Sequence, residues 1–100
     1  MVLPAVAEGA THVYHLYIVR TTRRDELQQY LTEQNIGTLI HYPVPPHLQQ
    51  AYAHMNIAAG SYPIAEELAS TSLSLPMWPG MTEAHVLAVT TAVRGFFEQK

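Results

Sequence analysis

Three prolines within four positions, Pro43, Pro45 and Pro46, divide this chain near its middle and exclude a regular helix there. Proline fixes its own φ at about −65° and biases the preceding residue toward extended backbone, so Tyr42, Val44 and Pro45 have little freedom left to lose on meeting a ligand. The segment Thr38 to Gln50 (TLIHYPVPPHLQQ) thus sets two imidazoles, His41 and His47, and the Tyr42 phenol on a stiff backbone directly after an apolar run. It reads as a presented site. The alternative is a rigid connector whose His and Tyr side chains make only local hydrogen bonds.

The patterns on either side predict alternating strands and helices. Val2 to Thr11, rich in Ala, Gly and Pro, reads as a lead-in or linker, residues 1–11. His12 to Arg20 is β-branched and aromatic with both faces largely apolar, which predicts a central strand. Thr22 to Asp25 has the spacing of a capping box, and Leu27, Tyr30, Leu31 and Gln34 follow at helical spacing, so a helix is expected from about Arg23 to Asn35 with Gly37 as its C′ residue. Thr38 to His41 reads as a short strand, and His47 to His54 as a short helix with Leu48 and Tyr52 inward. Pro63 suits the first turn of a helix that carries Glu66 and Glu67 near its start and turns Ile64, Leu68 and Thr71 or Ser72 to the core. Leu73 to Leu75 is a last strand, ended by Pro76, and Met77 to Met81 is a turn. Thr82 can cap a final helix with the stripe Val86, Val89, Val93, Phe96 and Phe97. This order predicts an α/β (α+β) sandwich, a small sheet covered by helices.

Composition narrows the function classes. At 100 residues one domain is expected. The absence of cysteine removes disulfides, thiolate nucleophiles and Cys-based zinc sites. No apolar run approaches the roughly 18 residues of a spanning helix, and Met1 to Gly9 lacks the layout of a signal peptide, so a cytoplasmic protein without membrane contact is expected. Net charge is −3 and the five basic residues form no stripe, which argues against nucleic acid. Charged residues make up 13% of the chain, against roughly 25% in ordinary domains, and hydrophobic residues 48%. So few charges predict that part of the surface lies against another domain or subunit.

The reactive side chains are notable for what they omit. His41 and His47 are six apart across prolines, not at the i, i+4 spacing of a helical zinc pair, and His12 and His15 fall on opposite faces of a strand, so no metal site is expected. Asp25 is the only aspartate and no serine sits in a G-x-S-x-G elbow, which speaks against a hydrolase triad. Lys100 is the only lysine and the last residue, so no buried amine is available for Schiff-base chemistry. No catalytic residue is therefore assigned, and His41 and Tyr42 read as binding or orienting groups. Tyr14, Tyr17, Tyr30 and Tyr52 read as packing residues, and Trp78 as a hinge plug or a contact for a neighbour.

The runs HVYHLYIVR, TTRRDELQQYLTEQNIGTLIHYPVPPHLQQAY and SYPIAEELASTSLSLPMWPGMTEAHVLAVTTAV together resemble the C-terminal small domain of the DegT/DnrJ/EryC1/StrS family of pyridoxal-phosphate-dependent sugar aminotransferases. The most specific parts are GTLIHYPVPPHLQ, from Gly37, and LSLPMWP, from Leu73. The resemblance implies that residues 12–100 form the small domain of a fold type I enzyme, a homodimer with active sites at the subunit interface. Such an enzyme moves an amino group, from glutamate, to a keto sugar that is often nucleotide-linked. In the family the Schiff-base lysine, the aspartate facing the pyridine nitrogen and most phosphate contacts lie in a large N-terminal domain, with no matching positions here, so no cofactor-binding residue is assigned. By carry-over His41 and Tyr42 line the sugar-nucleotide side of the cleft, with His47 and Gln49 nearby; Arg20 and Arg23 are weaker candidates. The chain alone is expected not to transaminate. Two alternatives are a free-standing module that binds a phosphorylated sugar through His41 to Gln49, and a small metal enzyme using His41 and His47.

Overall fold

Strand β1 (Tyr17–Arg20) pairs antiparallel with β2 (Ser72–Leu75), setting Val19 opposite Leu73, and both side chains are fully buried. The computed structural model describes residues 1–99, and around this ribbon it places three helices: α1 (Arg24–Glu33), α2 (Pro63–Thr71) and α3 (Glu83–Glu98). Single antiparallel bridges widen the ribbon on each side, Val2 to Arg20 and Leu39 to Ser74. The result is the expected mixed α/β unit, a small sheet with helices packed on it. No helix among the described residues is long and apolar enough to cross a membrane.

The core is where the three periodicities meet. Leu27 and Leu31 from α1, Val89, Val93 and Phe96 from α3, and Val19 and Leu73 from the sheet form one buried cluster. Four of them, Leu27, Leu31, Leu73 and Val19, are wholly removed from water, each contributing about 1.5–3 kcal/mol of transfer free energy. Pro63 occupies the first turn of α2 as its fixed φ and missing N–H predict. Thr82 caps α3: its Oγ1 accepts from the His85 N–H at 3.3 Å, and its own N–H donates to His85 Nδ1 at 3.1 Å.

Several expectations are corrected. The His12 strand begins only at Tyr17, because Tyr14 turns left-handed (φ 50°) with its N–H bonded to His12 Nδ1, and the ladder extends no further than its four-residue partner. Within the lead-in, Val2 exchanges backbone bonds of 2.8 and 3.0 Å with Arg20. No capping box forms at Thr22 to Asp25, for Asp25 pairs with Arg24 and the Arg23 N–H donates instead to Thr21 Oγ1. At the other end of α1 the left-handed residue is Asn35 (φ 59°), not Gly37; the Asn35 and Ile36 N–H groups close on the carbonyls of Thr32 and Leu31 in a Schellman arrangement. The strand expected at Thr38 to His41 shrinks to the Leu39 bridge. The helix expected at His47 to His54 is two 3₁₀ turns, Pro46–Leu48 and Gln50–Met55, broken by extended Gln49, and it leaves Leu48 and Tyr52 exposed. In α2 the small Ala69 faces the core while Ile64 and Leu68 face outward, and in α3 Val86 and Phe97 lie outside the buried stripe.

The molecule is flat. Its extents are 48 × 38 × 23 Å and its radius of gyration is 15.8 Å, against about 13 Å for a typical domain of this length. Its accessible surface is 7415 Å², where a monomer of this mass exposes about 5,700 Å². The excess is about twice the roughly 800 Å² that one partner buries in a standard protein interface, and apolar side chains such as Leu39, Ile64 and Leu87 are exposed.

Candidate functional site

His41 follows the Leu39 bridge, at the point where the chain leaves the sheet edge for the proline segment. Leu39 and Ser74 exchange both backbone bonds, at 3.2 and 2.8 Å, which carries His41 past the face of β2. There its Nδ1 lies 2.8 Å from the Ser74 hydroxyl. The Tyr42 ring meets the His41 ring edge-on at 5.6 Å and is largely exposed. The peptide between these two residues is cis.

His41 borders two clefts. The larger, of about 610 Å³, runs from Asn35 and Leu39 to Trp78 and His85, whose rings lie 5.2 Å apart. The smaller, of about 420 Å³, lies between the Val2 to Ala5 stretch, Arg20 and Leu68. Arg20 therefore joins His41 at a cleft, with Glu67 as its ionic partner at 3.5 Å. Arg23 does not: it pairs with Glu26 and lies over the Phe96 ring.

The other two candidates have a different surrounding. The His47 side chain is only 6% exposed, packed edge-on against Tyr62, with Nε2 at 3.6 Å from Glu66. That carboxylate in turn accepts from the Gly60 N–H at 2.9 Å, so His47 faces the start of α2, and it lines neither cleft that His41 borders. Gln49 donates to the Val44 carbonyl at 3.2 Å and closes the proline segment on itself. Of the four candidates only His41 lines the two clefts: Tyr42 is exposed beside it but lines neither, Gln49 is bonded within the segment, and the buried His47 Nε2 has no hydrogen-bond partner among the described residues. Ser74 and His85 escaped the sequence reading. The only signal was that serines alternate with leucines in an otherwise apolar strand, placing two hydroxyls in the interior.

The family model described as "DegT/DnrJ/EryC1/StrS aminotransferase family" matches residues 1–94. The chain belongs to that family. It is 46% identical over 94 residues, 94% of its length, to the dTDP-3-amino-3,6-dideoxy-alpha-D-galactopyranose transaminase of Aneurinibacillus thermoaerophilus. It is likewise 46% identical over 97% of its length to the dTDP-3-amino-3,4,6-trideoxy-alpha-D-glucose transaminase of Streptomyces venezuelae. The crystal structure of S. venezuelae DesV in complex with a ketimine intermediate superposes with a TM-score of 0.95 at 45% identity, over 99% of this chain and 27% of that one. The chain spans about a quarter of the length of the curated relatives it matches.

The family's cofactor, pyridoxal phosphate, is held through a lysine Schiff base with an acidic partner at the pyridinium nitrogen. The described residues do not fit that group: they include no lysine, and the sole aspartate, the exposed Asp25, is paired with the buried Arg24 in the first turn of α1.

Proposed function

We propose that this chain is the C-terminal small domain of a pyridoxal-phosphate-dependent aminotransferase acting on a nucleotide-linked keto sugar. The observation that carries the reading is the 46% identity to a dTDP-sugar transaminase over 97 residues, 26% of that relative, in a chain whose described residues include no lysine. The amino donor is an amino acid, glutamate by the resemblance, and the parent is a cytoplasmic homodimer. In it the flat, apolar faces of this domain lie against the large domain and the second subunit, which supply the cofactor and the reacting lysine. His41 and Tyr42 bind and orient the sugar nucleotide from the opposite wall. His47 and Gln49 shape the segment that carries them. By itself the chain does not transaminate.

A domain exchange tests this. The C-terminal quarter of the S. venezuelae transaminase is replaced by this chain, and conversion of that enzyme's dTDP-sugar is followed. Retained turnover, reduced by His41→Ala, is the expected result. A dimeric chimera that takes up pyridoxal phosphate but gives no product would sink the assignment. So would a visible absorbance band that the isolated chain acquires with pyridoxal phosphate and keeps through dialysis.

A further inference from the structure

Ser74 has a hydroxyl proton to place. The residue is 5% exposed, stands opposite Ile18 in the ladder and has both backbone groups bonded to Leu39. Among the described residues its Oγ has one hydrogen-bond partner, His41 Nδ1. A buried hydroxyl proton without an acceptor is strongly disfavoured, and the Nδ1 lone pair is the acceptor within reach. Ser74 therefore donates and Nδ1 accepts. A neutral imidazole carries one N–H, so the ring proton is on Nε2.

We infer that Ser74 is a positioning residue that holds His41 as its Nε2–H tautomer, making the ring a fixed hydrogen-bond donor at the two clefts it borders. The consequence for the ligand rests on the aminotransferase reading: the group that meets His41 is an oxygen acceptor of the sugar nucleotide. Preorganisation of this kind needs a partner that does not move, and a side chain in the middle of a paired strand supplies one.

The molecule contains its own reference signals. His12 and His85 accept backbone N–H bonds at Nδ1, from Tyr14 at 2.7 Å and Thr82 at 3.1 Å, so both are Nε2–H tautomers. His54 is exposed, and its ring makes no hydrogen bond among the described residues.

Nitrogen NMR of the isotopically labelled chain, at mildly alkaline pH, decides the matter. The expected result is an unprotonated His41 Nδ1 whose shift groups with those of His12 and His85 and away from that of His54. Ser74→Ala should move it to the His54 value, and Ser74→Thr, which keeps the hydroxyl, should restore it. A proton on Nδ1 in the unsubstituted chain, or a signal indifferent to Ser74→Ala, overturns the inference. Should Ser74→Ala fail to fold, the unsubstituted chain and Ser74→Thr still decide. The tautomer is read without substrate, so a failure here leaves the chimera's turnover standing, and an inactive chimera leaves the tautomer standing.

Discussion

Arg24 Nη1 donates to the carbonyl of Ser72 at 3.1 Å, and the same nitrogen reaches the Ala69 carbonyl at 3.1 Å. A guanidinium from the first turn of α1 thereby serves the carboxyl end of α2, which has no basic residue in its own last turn. The first and last thirds of the chain are tied at the edge of the core.

Arg24→Met keeps the aliphatic stem and leaves two interior carbonyls without a donor. Bonds to a charged donor and the desolvated groups left behind put the loss at about 2–3 kcal/mol. Thermal unfolding followed by circular dichroism should show Tm falling by roughly 10 °C or more. An unchanged Tm would mean the guanidinium contributes nothing net.

Thr82→Ala removes the oxygen that accepts the His85 N–H and should cost about 1 kcal/mol in urea unfolding. Thr82→Ser, which keeps that oxygen, should stay close to the parent.

Gly95 lies inside α3, where alanine is favoured over glycine by about 1 kcal/mol. A Cβ there would stand 3.2 Å from the Tyr30 hydroxyl, which must give way. Gly95→Ala should therefore gain less alone than in a Tyr30→Phe background. The four proteins of that double-mutant cycle measure the coupling directly.

Glu66→Ala frees the Gly60 N–H and removes the carboxylate facing His47. Amide exchange at Gly60 should quicken by about fivefold, the equivalent of about 1 kcal/mol, and Glu66→Gln should retain part of the protection.

Tyr42 is 73% exposed, so Tyr42→Ala should alter stability by less than about 0.5 kcal/mol. In the transaminase chimera the same change should raise KM for the dTDP-sugar about tenfold with a smaller effect on kcat, as expected for lost binding. A KM indistinguishable from the parent's would remove Tyr42 from the substrate wall.

Part of the local chemistry was legible in the sequence, where neighbouring residues decide it. Pro63 opens α2 and Thr82 caps α3 whatever they pack against, since fixed φ, orphan N–H groups and side-chain oxygens act within one turn. Of the expected stripe Val86, Val89, Val93, Phe96 and Phe97, the middle three are buried, and the strand expected at Leu73 to Leu75 forms with one further residue, Ser72. The single lysine led to the expectation that this chain alone performs no Schiff-base chemistry, and the sparse charge to the expectation of a surface lying against another domain or subunit; the domain exchange tests both. Local reading failed where side chains found other partners, as at Thr22 to Asp25 and at Gly37, and what the sequence left open beyond that is fixed by strand register. His41 and His47 look alike in the same stiff segment, yet one meets Ser74 at the clefts and the other is buried against Tyr62 and Glu66. Ser74 is 33 residues from His41 in the chain. Only the antiparallel bridge that sets Leu39 beside Ser74 brings the hydroxyl and the imidazole together. Such a contact depends on which strands pair and in what register, so it was decided by the tertiary structure.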